Sequence, residues 1–225
     1  MAFDATNGNA APDERGWAFV ESLARESESI RQARIRSAEL NASYVTAAEG
    51  AALRMLAHAS SAAHIVEIGT STGGATQWLV QGLRGDGQVT SIDADGEHHR
   101  IAKELFAQAA IATSHTRLIT GRPAEVLPRL QDAAYDMVVL ATDPSDLNPL
   151  LDQAIRLLRV NGLIVLLNAL GNGKVGDPAQ RDAATIARRL FVQRINNDPR
   201  LMSSMLPVGH GLLVASVLNR DALQE

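Results

Sequence analysis

An apolar run that ends in an acid and a glycine-rich turn constrains this chain more than any other feature. Residues 65–74 read Ile-Val-Glu-Ile-Gly-Thr-Ser-Thr-Gly-Gly, and a second apolar run ends at Asp93. In a strand–turn–helix–strand unit, Glu67 and Asp93 fall at the carboxyl ends of neighbouring parallel strands, which is where open α/β sheets bind ligands. The pattern therefore predicts a parallel α/β sheet with a ligand site beside the glycine turn.

The two acids distinguish between classes of nucleotide cofactor. Asp93 is expected to accept hydrogen bonds from the two ribose hydroxyls of an adenosine. Glu67 would repel the pyrophosphate that a dinucleotide site binds with its glycine turn and helix N-terminus. S-adenosylmethionine (SAM) has no phosphate, and its ammonium group favours a nearby carboxylate. The turn also departs from GxGxxG because Ser71 stands at the second glycine position, so the sequence favours SAM over NAD. The alternative interpretation is that both acids cap neighbouring helices.

The composition excludes several other function classes. A net charge of −4 argues against a nucleic-acid partner, which normally needs a basic face. The chain has no cysteine, so disulfides and thiolate metal sites are excluded. The sequence also shows no signal peptide and no apolar stretch of about 18 residues. We therefore expect a soluble cytoplasmic protein without a membrane partner.

The chain is predicted to form one domain after a short tail. Residues 1–11 are small and polar and are predicted to be disordered, and residues 12–225 form the domain, with N-terminal helices in 12–60 and the core in 61–225. Asp13 can cap a first helix that runs through Leu23. A polar continuation leads to a second helix over 47–59. These two helices could cover the site or form a dimer surface.

Strand and helix patterns alternate from residue 63 onward, which predicts a parallel sheet. Strands are predicted at 64–68, 88–93, 116–119, 136–140 and 162–168. Helices are predicted at 74–82, 97–112, 124–132 and 146–158. A longer helix is predicted to begin at Asp177-Pro178, with proline at its first position. Residues 201–206 and 211–218 are predicted to form a closing antiparallel hairpin.

Several of these segments carry a family resemblance. They are Val-Glu-Ile-Gly-Thr-Ser-Thr-Gly at 66–73, Thr-Ser-Ile-Asp at 90–93, Leu-Ile-Thr-Gly at 118–121, Tyr-Asp-Met-Val-Val at 135–139, Leu-Leu-Arg-Val-Asn-Gly-Leu-Ile-Val at 157–165, and the tail 198–213. Over roughly residues 40–218 the chain resembles class I SAM-dependent methyltransferases, and most closely the catechol and caffeoyl-CoA O-methyltransferase family with its bacterial relatives. The resemblance implies a Rossmann-like, seven-stranded, mostly parallel sheet whose last strand is antiparallel, with helices on both faces. It also implies a homodimer and a small-molecule hydroxylated acceptor.

The resemblance also implies a set of SAM-binding residues. By their positions in the motifs these are Val45, Glu67, Gly69, Thr70, Ser71, Gly73, Asp93, Ala94, Arg122, Pro123, Ala124 and Thr142. One departure is Ala75, which stands where the family usually has a serine that helps to hold the methionine carboxylate. We expect this change to weaken cofactor binding without abolishing it.

The catalytic positions depart further from the family pattern. Family members typically hold a divalent cation with an Asp after the fourth strand and an Asp-Asn pair after the fifth, and a nearby Lys assists deprotonation. Hard oxygen ligands of this kind suit Mg²⁺. Here the two Asp positions are Ala141 and Leu167, only Asn168 matches, and the Lys position is Pro144. The sequence therefore predicts no metal at this place.

A methyltransferase without this metal needs another group to take the acceptor's proton, while positioning of the reactants accelerates the transfer. Asp143, in the loop that leaves the predicted fourth strand, is the first candidate base; alternatively it caps the helix that begins near Ser145-Asp146. His210 lies in the turn of the terminal hairpin and is the second candidate, because histidine titrates near neutral pH. The alternative is a solvated turn histidine.

Two other functions remain open at this stage. An inactive SAM- or S-adenosylhomocysteine-binding protein would explain cofactor residues without catalytic ones. An NAD-dependent oxidoreductase is disfavoured by Glu67 and Ser71. The acceptor cannot be identified, although its specificity is expected to reside in the N-terminal helices and in residues 147–151 and 171–176.

Overall fold

A computed structural model describes residues 14–218 of the chain. The predicted disordered segment 1–11 and the Asp13 cap lie outside the described residues. The helices and strands, in chain order, are α1 Glu14–Leu23, α2 Glu28–Glu39, α3 Ala47–Ala59, β1 His64–Ile68, α4 Gly74–Gly82, β2 Gln88–Asp93, α5 Gly96–Gln108, β3 Thr116–Thr120, α6 Pro123–Val126, β4 Tyr135–Leu140, α7 Leu147–Leu157, β5 Leu158–Leu166, α8 Ala183–Asn197, β6 Leu201–Leu206 and β7 Leu212–Val217. None of the helices within this range is both long and apolar enough to cross a membrane.

The strands form a seven-stranded sheet in the order β3-β2-β1-β4-β5-β7-β6. The pairs β2–β3, β1–β2, β1–β4 and β4–β5 are parallel, and β7 runs antiparallel to both of its neighbours. The predicted mostly parallel sheet with an antiparallel last strand is therefore confirmed. The strand order reverses between β1 and β4, and this switch point is where open α/β sheets bind ligands.

Both faces of the sheet are buried, which explains why the central strands are almost continuously apolar. Ile65 packs in one core cluster with residues of α3 and α4, whereas Val66 packs in the other with residues of α7 and α8. Because successive side chains of a strand point to opposite faces, this alternation places Glu67 on the α3 and α4 side. Helices on both faces were predicted, and this is confirmed.

Between residue 14 and β1 the structure has three helices, so the prediction of two was wrong. Helix α2 was predicted only as a polar continuation, because its buried face is made mostly of small residues, with Ser29, Ala33 and Ser37 beside Ile30. Hydrogen bonds hold much of this face. The Ser29 hydroxyl donates to the Leu105 carbonyl at 2.8 Å. Small polar residues give no apolar periodicity, so sequence reasoning missed this helix.

The start of α8 was also predicted wrongly. Asp177 closes a local turn by accepting from the Ala179 amide at 2.9 Å, and the helix begins only after Asp182. Asp182 caps it by accepting from the amide and the hydroxyl of Thr185. The helix predicted over 124–132 is instead the four-residue α6 followed by a 3₁₀ turn that contains Pro128. Proline lacks an amide proton and ends regular helix.

The close packing of α3 on α4 gives a first prediction. A Cβ on Gly50 would lie 2.1 Å from Nε1 of the fully buried Trp78. Although alanine favours helix, we expect Gly50→Ala to lower the free energy of unfolding by about 1–3 kcal/mol, because overpacking forces neighbours to move. Gly74→Ala is the control, since its Cβ would meet only Ala33 at 3.6 Å. Urea unfolding of the two variants measures the difference, and equal stabilities would contradict the prediction.

Candidate active site

The turn after β1 requires glycine at Gly69, where φ is +96° and a Cβ would lie 2.3 Å from the Ala141 carbonyl oxygen. This close approach brings the carboxyl ends of β1 and β4 together at the switch point. Gly73 serves packing, because with φ of +85° its Cβ would lie 2.5 Å from the Phe106 ring of α5. Gly69 therefore shapes the edge of the sheet where a ligand would bind, and Gly73 allows α4 to pack closely against α5.

Asp93 ties the glycine turn to the end of β2. Its Oδ2 accepts from the Ser71 amide at 2.8 Å and lies 3.1 Å from Nδ1 of His98, and its Oδ1 accepts from the Asp95 amide at 2.9 Å. Helix α5 is capped by Asp95, which accepts from the Glu97 amide, and not by Asp93. Asp93 is thus held in place at the edge of a cavity rather than used as a helix cap.

Glu67 lies fully buried beneath the same turn. Its Oε2 accepts from the hydroxyls of Thr76 and Ser91, each at 2.5 Å, and its Oε1 has no hydrogen-bond partner among the described residues. Burial raises the pKa of this carboxyl to about 7, although the two hydroxyl bonds oppose the shift. Glu67 caps no described helix. It lines neither of the two cavities at this edge of the sheet, so its direct contact with a ligand stays a prediction.

Two cavities meet at the switch point. The first, of about 450 Å³, lies between the loop before α3, the start of α4 and the ends of β4 and β5. The second, of about 570 Å³, lies between the end of β2, the start of α6 and the start of α7. Gly69 and Thr142 line both. Of the other predicted cofactor residues, the first cavity is lined by Val45, Thr70 and Ser71. The second cavity is lined by Asp93, Ala94, Arg122, Pro123 and Ala124. Only Glu67 and Gly73 line neither.

The first cavity has a basic wall. Arg34, Arg188 and His210 line it, and no Asp or Glu within residues 14–218 does so. Arg34 is paired with Glu26 at 2.9 Å. Burial lowers the pKa of Arg188, and the negative charges of Asp143 and Asp182 oppose that shift. The cavity therefore offers cationic and hydroxyl groups but no carboxylate ligand for a metal.

Comparison with known proteins identifies the family. The sequence model of the O-methyltransferase family matches residues 21–218. The chain belongs to the O-methyltransferase family. It is 42% identical over 214 residues to a probable O-methyltransferase of Mycobacterium tuberculosis H37Rv, covering 94% of this chain and 96% of that protein. The family resemblance inferred from the sequence is therefore confirmed.

Solved structures of O-methyltransferases share the fold. TomG of Streptomyces achromogenes, an O-methyltransferase of tomaymycin synthesis solved in complex with SAM, superposes with a TM-score of 0.81 at 26% identity, covering 93% of this chain and all (100%) of that chain. An O-methyltransferase of Bacillus cereus, solved in complex with S-adenosylhomocysteine, gives a TM-score of 0.79 at 25% identity, covering 89% and 96%.

The residues at the family's metal positions do not fit a divalent cation. Ala141 and Leu167 line the first cavity at the ends of β4 and β5, where carboxylates would be needed. Asn168 beside them keeps a buried Oδ1 without a hydrogen-bond partner in the described part of the chain. A hard cation needs several oxygen ligands, and one amide oxygen does not supply them. Within residues 14–218, no three His, Cys, Asp or Glu residues are grouped to hold a metal ion.

Asp143, the predicted base, caps a short 3₁₀ turn over Pro144–Asp146. Its Oδ1 accepts from the amide and the hydroxyl of Ser145, at 2.9 and 2.8 Å. The backbone bond and then the hydroxyl bond lower the pKa of Asp143, which makes its carboxylate a weaker base. Its side chain is exposed and lines neither cavity. The structure thus shows the capping interaction, and the role as base stays a prediction.

Sequence reasoning named His210 as a candidate base but did not place Tyr44 or Glu49 beside it. Tyr44 and His210 line the first cavity with their rings edge to face and their centroids 5.9 Å apart. The His210 amide donates to Oε1 of the buried Glu49 at 2.9 Å. The available local signal was the capping box of α3 formed by Thr46 and Glu49, which marks a helix start and gives no indication of a site.

Proposed function

We propose that the chain is a SAM-dependent O-methyltransferase that acts on a small hydroxylated acceptor without the family's divalent metal. One observation carries the proposal: the predicted cofactor residues, except Glu67 and Gly73, line two cavities that join at Gly69 and Thr142. The relatives solved with SAM and with S-adenosylhomocysteine support this choice of cofactor.

The second cavity suits an adenosine. Asp93 offers carboxylate oxygens to a ribose diol, and Pro123 and Leu150 provide apolar walls for a flat base. In the first cavity, Val45 and the turn from Gly69 to Ser71 would hold the amino-acid end. When bound, SAM supplies a methyl group that its sulfonium already activates. The second cavity would thus hold the nucleoside end of the elongated cofactor, and the first cavity its amino-acid end.

The rest of the first cavity would hold the acceptor. Ala141 and Leu167 present methyl groups where the family has carboxylates, so they exclude water from the region next to the glycine turn. Tyr44, Asn168 and Arg188 bring polar groups to the same cavity. Holding the two reactants in a fixed orientation supplies much of the acceleration of a transfer reaction. A homodimer and a cytoplasmic location remain predictions from the sequence.

Titration calorimetry with S-adenosylhomocysteine tests the cofactor and the metal together. We expect binding in EDTA, with the dissociation constant unchanged within about twofold when Mg²⁺ replaces EDTA, because the family's metal positions carry two apolar side chains. A tenfold increase in affinity with Mg²⁺ would show that a metal site exists. Absence of binding in both conditions would overturn the proposed function.

Release of S-adenosylhomocysteine from SAM tests the activity. Phenol, catechol, dihydroxybenzoate and aliphatic hydroxy acids form an acceptor panel, assayed in EDTA, and methyl transfer to one of them is expected. Binding of S-adenosylhomocysteine without any transfer would favour the inactive binding protein instead. That function was left open because cofactor residues are present beside Ala141, Pro144 and Leu167.

A further inference from the structure

The turn between β6 and β7 is pressed against the start of α3. Gly209, with φ of +54°, precedes His210, and a Cβ on this glycine would lie 2.6 Å from both Cγ of Glu49 and Oγ1 of Thr46. Gly211, with φ of +91°, follows, and its Cβ would lie 2.5 Å from the Leu170 side chain. The two glycines therefore allow the hairpin to place the His210 ring at a fixed position on the wall of the first cavity.

Glu49 lies next to this ring and accepts a hydrogen bond from the His210 backbone. Its carboxylate is 1% exposed, with Oε1 accepting from the His210 amide and Oε2 accepting from the Thr46 amide, both at 2.9 Å. Oε2 also lies 3.7 Å from Nδ1 of His210. Nδ1 thus faces the buried carboxylate, while Nε2 has no hydrogen-bond partner among the described residues. A carboxylate close to one imidazole nitrogen stabilises the protonated form of the ring.

The charged groups around His210 make it a stronger base. Glu49 of α3 is the main cause of its raised pKa, burial opposes the shift, and Glu21 of α1 adds a smaller effect of the same sign as Glu49. Tyr44, from the loop before α3, packs against the ring. Histidine already titrates nearest to neutral pH among unperturbed side chains, so a carboxylate partner suits it to accept a proton under physiological conditions.

The other groups near the cavity suit this task less well. Among the described residues that line the first cavity, the ionisable side chains are Arg34, Tyr44, Arg188 and His210. Arginine stays protonated and accepts no proton, and the Tyr44 ring packs edge to face against His210 itself. Asp143 lies outside the cavity with a lowered pKa. His210 is therefore the group on this wall that combines access, a free nitrogen and a suitable basicity.

We propose that His210, oriented by Glu49, is the general base that removes the acceptor hydroxyl's proton during methyl transfer. The proposal rests on the proposed function. The acceptor O–H bond breaks and its proton goes to Nε2, while the acceptor oxygen forms the new bond to the methyl carbon. The electron pair of the broken carbon–sulfur bond stays on sulfur, which leaves S-adenosylhomocysteine. The imidazolium then returns its proton to water, since the His210 side chain is 30% exposed.

The rate of methyl transfer as a function of pH tests the base. With an acceptor from the panel, we expect the wild-type kcat to rise with pH as the imidazole loses its proton. His210→Gln is expected to lower kcat by about 10²–10⁴-fold and to remove this rise, with the affinity for S-adenosylhomocysteine unchanged. His58→Gln is the matched control, because His58 is exposed on α3 and lines neither cavity. It is expected to match the wild type.

The role of Glu49 has its own measurement. Glu49→Gln keeps the size of the side chain, and we expect it to lower the pKa of His210 in the complex with S-adenosylhomocysteine, measured by NMR. The increase of kcat with pH in the Glu49→Gln variant should move to lower pH by the same amount. A purely structural Glu49 would change stability without moving either value.

Each outcome supports or overturns the proposal. A His210→Gln variant that keeps the wild-type kcat and pH profile overturns the role of His210 and leaves the proposed function intact. An increase in KM at unchanged kcat also overturns it, because His210 would then only bind the acceptor. A wild-type protein that binds no S-adenosylhomocysteine, or transfers no methyl group to the panel, overturns the proposed function itself.

Discussion

Asp93→Asn is expected to weaken S-adenosylhomocysteine binding by at least about tenfold. Ribose hydroxyls donate to a carboxylate in charge-assisted hydrogen bonds, each contributing about 1.5–3 kcal/mol, and 1.4 kcal/mol corresponds to about one tenfold step. The side-chain amide of asparagine would also disturb the glycine turn that Asp93 holds. Both carboxylate oxygens of Asp93 accept from backbone amides, of Ser71 and Asp95, and one end of an asparagine cannot accept.

Asp95→Asn is the matched control for this prediction. Asp95 lies two residues further on, its side chain is 56% exposed, and it lines neither cavity. Asparagine caps helices as well as aspartate does, so α5 should be unaffected. Calorimetry should give the wild-type dissociation constant for Asp95→Asn. A wild-type value for Asp93→Asn as well would remove Asp93 from the ribose site, and the melting temperatures of the free proteins separate a loosened turn from a lost contact.

Glu67→Gln is expected to stabilise the free protein above pH 7. The pKa of Glu67 is about 7 in the folded protein and about 4.5 in an ordinary environment. At 1.36 kcal/mol per pKa unit, the ionised carboxylate costs the folded state about 3 kcal/mol. Glutamine avoids this cost and keeps both hydroxyl bonds when its amide oxygen takes the Oε2 position, while its buried NH2 group, which has no partner at the Oε1 position, offsets part of the gain at every pH.

The pH range of this effect follows from the raised pKa. Between about pH 4.5 and 7, the folded protein keeps a proton that the unfolded chain has released, so wild-type stability falls as pH rises. Below that range both states are protonated, and above it the full cost is present. Urea unfolding of both proteins at pH 5 and pH 8 measures the change, and an equal difference at the two pH values would contradict it. If Glu67 also attracts the cofactor's ammonium, the same variant binds SAM less tightly.

The sequence predicted the elements that have continuous apolar runs or clear boundary signals. The bounds of α3, β1, α4 and β2 agree with the prediction because glycine turns and a capping box mark them. Helix α2 has none of these marks. Its contacts are hydrogen bonds between small residues, such as those of the Ser37 hydroxyl with Ser71 and Thr72, and a periodicity based on hydrophobicity cannot detect them.

That most of the predicted cofactor residues line two adjoining cavities was predictable, because they lie in local motifs after parallel strands. The grouping of Tyr44 and Glu49 with His210 was not, since His210 lies 161 residues after Glu49 and only the terminal hairpin brings it to the start of α3. Asp143 illustrates a third limit. An acid before Pro144 is equally typical of a turn cap and of a catalytic loop, and the Ser145 contacts that decide between them depend on backbone geometry.

The two tryptophans of the chain lie in different environments, and this makes them separate optical reporters. Trp78 is fully buried between α3 and α4, whereas Trp17 on α1 is 37% exposed. A buried indole fluoresces at shorter wavelengths than a hydrated one, so the emission spectrum contains a blue contribution from the core and a red contribution from the N-terminal helix. A movement of α1 would change the red part, and melting of the core would shift the blue part. The unmodified protein therefore distinguishes these two events without a label.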